Sequence, residues 1–201
     1  MGVISNGTTL LDAGAIDSGI AQGAMTLIST TTVSNAATLS ITSGINSTYK
    51  TYVFKLINVH AANDALAGFT FQVSTNGGTG YGIEITSSYF RATHDEDGSG
   101  GALAYQGSQD LAEGTGFQNI TAGDGNDNDQ SSSGTLTLYN PADTTFVKHF
   151  MAFTNSYHAG DKTRNVFTAG YINSTSAVNA IQFKFSAGNI DTGTVKMYGI
   201  S

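Results

Sequence analysis

The sequence predicts an all-β fold, in which an antiparallel β-sandwich or jelly-roll-like domain follows an extended N-terminal arm. Polar and apolar residues alternate with a period of two in many short segments, which is the pattern of strands that bury one face. Turns rich in Gly, Asn and Ser separate these segments, as they do in sandwiches and related folds. No window places apolar residues at the i, i+3, i+4 and i+7 spacing of a capped amphipathic helix.

The N-terminal stretch of residues 1–24 differs in character from residues 25–201, and the boundary divides the predicted arm from the predicted β-sandwich domain. The stretch contains five glycines and neither Tyr nor Phe, and its apolar residues follow neither a strand nor a helix period. Because such a stretch exposes apolar surface when it is alone, we expect it to pack on a partner. The candidate partner-binding residues are its aliphatic side chains, Val3, Ile4, Leu10, Leu11, Ile16 and Ile20.

The first half of the domain shows several strand patterns and one strong hairpin signal. MTLISTTTV, which begins at residue 25, and ATLSI are rich in Thr and β-branched residues, and KTYVFKLINV at residues 50–59 alternates large apolar residues. GFTFQVST at residues 68–75 and YGIEIT at residues 81–86 alternate on either side of the turn NGGTG, whose residues tolerate positive φ. We therefore predict that 68–75 pairs with 80–86 as an antiparallel hairpin.

The second half repeats this style and brings the total to about ten strands. GTLTLYN at residues 134–140, TTFVKHFMAFTN at 144–155 and VFTAGYI at 166–172 all read as strands. AIQFKFS at 180–186 and GTVKMYGI at 193–200 predict a second antiparallel hairpin. Most of the nine Tyr and eleven Phe alternate along these strands, so we expect most of the aromatic residues to form the core.

The charge of the chain argues against two classes of partner. Net charge is −7, and the eight Lys and Arg are scattered without a cluster, so we expect neither nucleic-acid binding nor attraction to an anionic membrane surface. The chain has no cysteine, which excludes disulfides and Cys-ligated metal sites. We also expect no signal peptide and no membrane span, because basic and long apolar segments are missing from the sequence.

The acidic residues concentrate at residues 92–147, which hold nine Asp or Glu and no Lys or Arg. Within them HDED, residues 94–97, follows a strand pattern and precedes GSGG. Neighbouring residues of an extended chain point in alternate directions, so these four side chains cannot all converge on one ion. We favour a solvated acidic loop, and a metal site or an acid/base pair of carboxylates stays as an alternative.

A second acidic stretch, AGDGNDNDQSSSG at residues 122–134, resembles the start of a calcium loop. An EF-hand loop needs Gly at its sixth position and Glu at its twelfth, where a loop that starts at Asp124 has Asp129 and Thr135. We therefore favour a flexible polar loop. The alternative is a Ca²⁺ ion held by carboxylates of the two acidic loops, for which the candidate ligands are Asp95, Asp97, Asp124, Asp127 and Asp129.

The sequence contains no recognisable catalytic motif. A GxSxG nucleophile elbow, an HExxH zinc motif and nucleotide-binding glycine motifs are all missing from it. We therefore expect no enzyme, no catalytic role for His94, Asp95, Glu96 or Asp97, and no cofactor apart from the calcium alternative.

Several strings of the domain resemble a family of virion-associated proteins of tailed bacteriophages, especially marine and cyanobacterial ones. The resemblance covers about residues 25–201 and is carried by YFRATHDEDG, DLAEGTGFQ, SGTLTLYNPADTTFVKHF, GYINSTSAVNAIQFKFSAGNIDTGTVKMYGI and the starts MTLIS and STYKTYVFKLINVH. What the resemblance implies is a structural protein of the particle, either a head-surface decoration (cement) protein or a tail-fibre-like component. It supplies no catalytic residues.

The expected function is therefore that of a non-enzymatic bacteriophage virion structural protein, located at the particle surface. We expect a capsid-decoration (cement) protein that binds the head through its N-terminal arm; the alternative is a tail-fibre or receptor-binding, glycan-binding domain. The expected partners are the major capsid protein or another virion protein, and copies of the chain itself, with a trimer favoured. A free carbohydrate-binding module is a competing class, and a hydrolase that uses the acidic loops is the least favoured.

Overall fold

Two antiparallel sheets face each other across one hydrophobic core, which confirms the predicted all-β sandwich. The computed structural model describes residues 3–5, 8–12, 15–16, 25–63 and 68–201. These residues form the strands β1 (Val3–Ser5), β2 (Thr8–Asp12), β3 (Ala15–Ile16), β4 (Thr26–Ala36), β5 (Leu39–Ile41), β6 (Thr51–Ala61), β7 (Phe69–Ser74), β8 (Ile85–Asp95), β9 (Gly101–Tyr105), β10 (Gln118–Asn119), β11 (Ser132–Tyr139), β12 (Lys148–His158), β13 (Lys162–Ile172), β14 (Ala180–Phe185) and β15 (Ile190–Ile200).

The two sheets differ in size. The larger sheet has eight strands in the order β4-β15-β6-β11-β12-β13-β8-β9, and the smaller has four in the order β10-β7-β14-β5. The last strand, β15, lies between β4 and β6 and pairs with both along most of its length. The two ends of the domain sequence are therefore neighbours within one sheet. The jelly-roll connectivity stays a prediction.

The core consists of the inward side chains of both sheets. Phe54 of the larger sheet meets Phe183 of the smaller with ring centroids 5.8 Å apart, and Phe71 meets Phe150 at 5.0 Å. All four rings are shielded from solvent. Because full burial of one Phe side chain is worth about 1.5–3 kcal/mol, rings of this kind are a main source of stability for the sandwich.

Neither of the two predicted hairpins forms. Strand β7 pairs with β10 and β14 in the smaller sheet, whereas residues 80–84 lie outside the strands and β8 belongs to the larger sheet. In the same way, β14 lies in the smaller sheet and β15 in the larger. The glycine-containing turns carry the chain from one sheet to the other, with Gly77 and Gly78 at φ 72° and 87°. Alternation and a turn signal do not specify on which sheet the next strand lies.

The described N-terminal residues form a sheet of their own. Strands β1, β2 and β3 pair antiparallel in a small meander, so this segment has more regular pairing than its sequence pattern indicates. Ile4 is 64% exposed. Ile20 lies outside the described residues, and the docking of the arm on a partner stays a prediction.

Candidate functional site

A row of exposed aromatic side chains crosses four neighbouring strands on the outer face of the larger sheet. Tyr105 of β9 lies opposite Phe90 of β8, Phe90 lies opposite Phe167 of β13, and Phe167 lies opposite Phe153 of β12. Each of these four side chains is between 40% and 60% exposed. We refer to Tyr105, Phe90, Phe167 and Phe153 as the aromatic row.

The rings of the aromatic row touch one another. Phe90 and Phe167 stack with centroids 5.1 Å apart, and Phe153 meets Phe167 at 4.5 Å with a tilt of 41°. Cross-strand aromatic pairs of this kind stabilise a sheet by about 0.2–1 kcal/mol each. The pairing therefore holds the rings in fixed positions while leaving much of their surface in contact with solvent.

Further apolar side chains enlarge the surface around the aromatic row. Leu103 is 73% exposed and Met151 is 56% exposed, and the Tyr139 hydroxyl donates to the Met151 sulfur at 3.7 Å. A shallow cavity of about 140 Å³ lies between Phe90, Met151 and Phe167. The result is a contiguous apolar face, which contrasts with the polar surface expected of an isolated soluble domain.

The apolar face carries no acidic side chain at the outward positions of its four central strands. Those positions on β8, β11, β12 and β13 are Thr86, Ser88, Phe90, Ala92, His94, Ser133, Thr135, Thr137, Tyr139, His149, Met151, Phe153, Asn155, Tyr157, Thr163, Asn165, Phe167, Ala169 and Tyr171. In a chain of net charge −7, these positions add no negative charge that opposes close approach of another acidic molecule. At the edge of the row, the Tyr105 hydroxyl donates to the Asp110 carboxylate.

The exposure of the aromatic row departs from the expectation that aromatic residues form the core. That expectation holds for most Phe residues, but four of the eleven are exposed, namely Phe90, Phe146, Phe153 and Phe167. The sequence of β12 contains a sign of this exposed apolar surface, because Phe150, Met151, Ala152 and Phe153 form an uninterrupted apolar run. A strand that buries only one face does not need apolar residues on both, so such a run indicates a second apolar surface.

The HDED stretch is the turn of a β-hairpin. Asp95 ends β8 and Gly101 begins β9, and the two strands pair antiparallel up to His94 and Gly101. The Asp95 carboxylate forms an ion pair with Lys162 at 2.9 Å, and the Asp97 carboxylate accepts a hydrogen bond from the Ser99 amide at 2.8 Å. Hydrogen bonds from Ser99 lower the pKa of Asp97. The carboxylates thus have local partners that organise the turn.

The second acidic stretch is not the flexible loop favoured from its composition. Asp124 is fully buried, and its carboxylate accepts hydrogen bonds from the hydroxyls of Thr121, at 2.5 Å, and Ser132. Burial raises the pKa of Asp124 to about 6, although the hydrogen bonds from Ser132 and Thr121 act in the opposite direction. The hydrogen bond between Asp124 and Ser132 therefore holds the loop against β11. Asp127 and Asp129 on the same loop are exposed.

The five candidate metal ligands are distributed over these two stretches. Within the described ranges, no three His, Asp or Glu residues converge as a group that could hold a metal ion. Asp95 is engaged by Lys162 and Asp124 by hydroxyl groups, as described above. The calcium alternative stays a prediction.

Two findings complete the description of the chain. The described part contains no helix that could cross a membrane. No protein-family model, no curated protein and no solved structure matches the chain.

Proposed function

We propose that this chain is a non-enzymatic structural protein of a bacteriophage virion, a decoration (cement) protein of the capsid surface. The resemblance of residues 25–201 supports the virion assignment. The observation that carries the proposal is the exposed apolar face built around the aromatic row, because large exposed apolar patches mark surfaces that bind other macromolecules. An aromatic-rich surface whose four central strands carry no acidic side chain at their outward positions suits assembly into a larger particle.

The apolar face binds neighbouring copies of the chain in this proposal. Copies with a net charge of −7 repel each other over most orientations, and the repulsion is weakest where no carboxylate faces the partner. Phe and Tyr side chains are also enriched at the buried centre of interfaces. Self-association through the aromatic row would give a homo-oligomer, with a trimer as the favoured state, on the particle surface.

The N-terminal arm attaches this oligomer to the major capsid protein or to another virion protein. Burial of its six aliphatic side chains is worth roughly 1.5–3 kcal/mol each, and ordering the backbone costs about 1–2 kcal/mol per residue. For an arm of residues 1–24, the ordering cost exceeds the gain from burial, so attachment needs additional backbone hydrogen bonds. Strand β1 is at one edge of the N-terminal sheet and is a suitable acceptor for strand addition by a partner.

The second candidate function is a tail-fibre or receptor-binding domain that recognises a glycan. It is favoured by a cavity of about 290 Å³ further along the same strands, lined in part by His94, Asn155 and Tyr157. Polar groups next to aromatic rings are the mixture that a sugar ligand requires, because the rings cover its apolar surface and the polar groups bind its hydroxyls.

The number of copies in purified particles distinguishes the two candidates. A decoration protein is present at tens to hundreds of copies per particle, whereas a fibre component is present in few, and quantitative mass spectrometry against the major capsid protein measures the ratio. A low ratio together with binding on a glycan array would favour the receptor-binding domain. A chain that is missing from purified particles would overturn both assignments.

A further inference from the structure

The only two arginines of the chain lie side by side in one cavity, although they are far apart in the sequence. Arg91 is on β8 and Arg164 is on β13, and the register of these strands sets Arg91 opposite Val166 and Arg164 opposite Thr93. The arginines are therefore diagonal neighbours on the same face of the larger sheet. The cavity has a volume of about 390 Å³, and its other lining residues are Gly68, Gln106, Ser108, Gln109, Ala122, Gly123 and His158.

The two guanidinium groups have no anionic partner in the part of the chain that the structure describes. Within the described residues, neither Arg91 nor Arg164 forms an ion pair with a carboxylate. Arg164 donates one hydrogen bond from Nη1 to the Ala122 carbonyl at 3.3 Å, and its Nε is buried without a hydrogen-bond partner. Burial and the neighbouring charge of Arg91 lower the pKa of Arg164. Two adjacent cations repel each other, and one of them has an N–H group without an acceptor. Binding of a negatively charged group between them would therefore be favourable.

The nearby carboxylates Asp124 and Asp95 do not pair with the two guanidinium groups. Asp124 and Asp95 both influence Arg164 electrostatically, but Asp124 accepts its hydrogen bonds from hydroxyls and Asp95 pairs with Lys162. Among the described residues, no Asp or Glu lines the cavity itself. The chain has fifteen acidic and eight basic residues and therefore a negative net charge, but the cavity concentrates positive charge.

Gly123 in the wall of the cavity leaves room for the Arg164 side chain. Gly123 has φ 66°, a conformation that favours glycine, and a Cβ added there would lie 2.9 Å from Nη1 of Arg164 and 2.6 Å from Cδ2 of His158. Any larger residue would push these side chains out of position. The backbone at Gly123 therefore makes room for the guanidinium.

We propose that Arg91 and Arg164 form a binding site for a small oxyanion, a carboxylate or a phosphate group. A guanidinium presents planar, paired N–H donors that match the two oxygens of such a group. Gln106, Ser108 and Gln109 line the same cavity, and their side chains are of a type that can donate hydrogen bonds to the rest of the ligand. A volume of about 390 Å³ accommodates a compact ligand that bears the anionic group.

The small number of arginines allows a direct test by NMR. A ¹⁵N correlation spectrum of the full chain should contain two arginine Nε–H signals, one from Arg91 and one from Arg164. Inorganic phosphate is titrated against sodium chloride at constant ionic strength, with acetate in a parallel titration. We expect both Nε–H signals to shift and to saturate with a common midpoint. Relative midpoints for phosphate and acetate then identify the preferred oxyanion. Absence of a shift, or a shift that stays linear in phosphate concentration, would overturn the proposal.

Matched variants separate a site from a general charge effect. Arg91→Gln and Lys50→Gln each remove one positive charge, but Lys50 is exposed and does not line the cavity. We expect Arg91→Gln to weaken phosphate binding by about tenfold or more, since hydrogen bonds to charged groups are of that strength. Lys50→Gln should leave the midpoint unchanged, as read from the Gly123 amide. Equal weakening by both variants would show that net charge alone accounts for the response, which contradicts a built site.

Arg164→Gln tests the second guanidinium. The variant also loses the hydrogen bond to Ala122, so its thermal unfolding is measured alongside binding. If it does not fold, Arg91→Gln decides the proposal by itself, because the Arg91 side chain forms no ion pair within the described residues that the substitution would remove.

Discussion

The rings of Phe90 and Phe167 lie nearly parallel, at 11° and 5.1 Å between centroids, on the solvent-facing side of the larger sheet. Two phenyl rings that stack in this position shield one another only in part, since each remains at least 40% exposed. Exposure of the remaining apolar area to water is unfavourable. The corresponding free energy is regained when another surface covers this area. The stacked pair is thus a fixed platform at the centre of the apolar face.

Replacement of this pair by Ser should reduce self-association and leave the fold intact. We expect the double variant Phe90→Ser/Phe167→Ser to shift to smaller species in analytical ultracentrifugation. Its free energy of unfolding should fall by about 0.2–1 kcal/mol for each of the two lost cross-strand pairs, Phe90–Phe167 and Phe153–Phe167, in addition to a small loss of apolar burial. Phe146→Ser is the matched control, because Phe146 is 70% exposed but lies in the connection before β12. An unchanged oligomer in the double variant would rule out the apolar face as the contact between copies.

Stability should fall as the pH rises from about 4 to about 6 because of Asp124. Its pKa is about 6 in the folded chain, whereas an Asp of an unfolded chain has a pKa of about 3.9. Between these values the folded state binds more protons than the unfolded state, so the free energy of unfolding decreases with increasing pH. The total loss is roughly 3 kcal/mol and is complete above the folded pKa.

Urea unfolding of Asp124→Asn across this pH range measures the contribution of the buried carboxyl. The difference in stability between the wild type and Asp124→Asn should change with pH by the amount given above. Asp129→Asn is the matched control, because Asp129 is on the same loop but exposed, and it should retain the wild-type slope. A wild-type slope in Asp124→Asn would refute the assignment to Asp124.

Calcium should not raise the unfolding temperature. Asp95 is already paired with Lys162, and the described residues present no cluster of three metal-ligating side chains. Differential scanning fluorimetry with calcium and with chelator measures the shift. Asp95→Ala should cost less than about 1 kcal/mol, as is usual for a partly exposed ion pair. A calcium-dependent rise that Asp95→Ala or Asp127→Ala abolishes would instead establish a metal site.

Deletion of residues 1–24 should separate attachment from folding. The two facing sheets and their core are built from residues after residue 25, so the truncated chain should be soluble and show the circular dichroism of a β protein. We expect it to lose binding to particles that lack the protein, as measured by co-sedimentation. Decoration by the truncated chain at wild-type level would contradict anchoring by the arm, and attachment would then run through the β domain.

The sequence was sufficient to predict most of the strands and many of their buried side chains, because those depend on local alternation. In β6, for example, Tyr52, Phe54 and Leu56 share one face in the sequence pattern and all three lie in the core. Strand partners depend on contacts between distant residues, and for this reason both hairpin predictions were wrong. The pattern of β7 contains no sign of its partners β10 and β14.

In the candidate sites, too, features that depend on contacts between distant residues could not be predicted from local sequence. Phe150 and Phe153 belong to one apolar run, and only the position of the smaller sheet determines that Phe150 is buried and Phe153 exposed. The burial of Asp124 could not be inferred from a stretch of Asp, Asn, Gly and Ser, because it depends on hydroxyl groups that the fold brings to it. The meeting of Arg91 and Arg164 likewise follows from strand register, which no local pattern encodes.

The insertion of β15 between β4 and β6 has a consequence for how the chain acquires its structure. Strands β4 and β6 are synthesised before every strand from β7 to β14, but the strand that joins them, β15, contains residues 190–200 and follows all of these. The larger sheet therefore cannot close until residues 190–200 have left the ribosome, and its longest-range pairing forms last. Until that moment both early strands present unpaired backbone groups, so nascent or truncated chains are the species most exposed to aggregation.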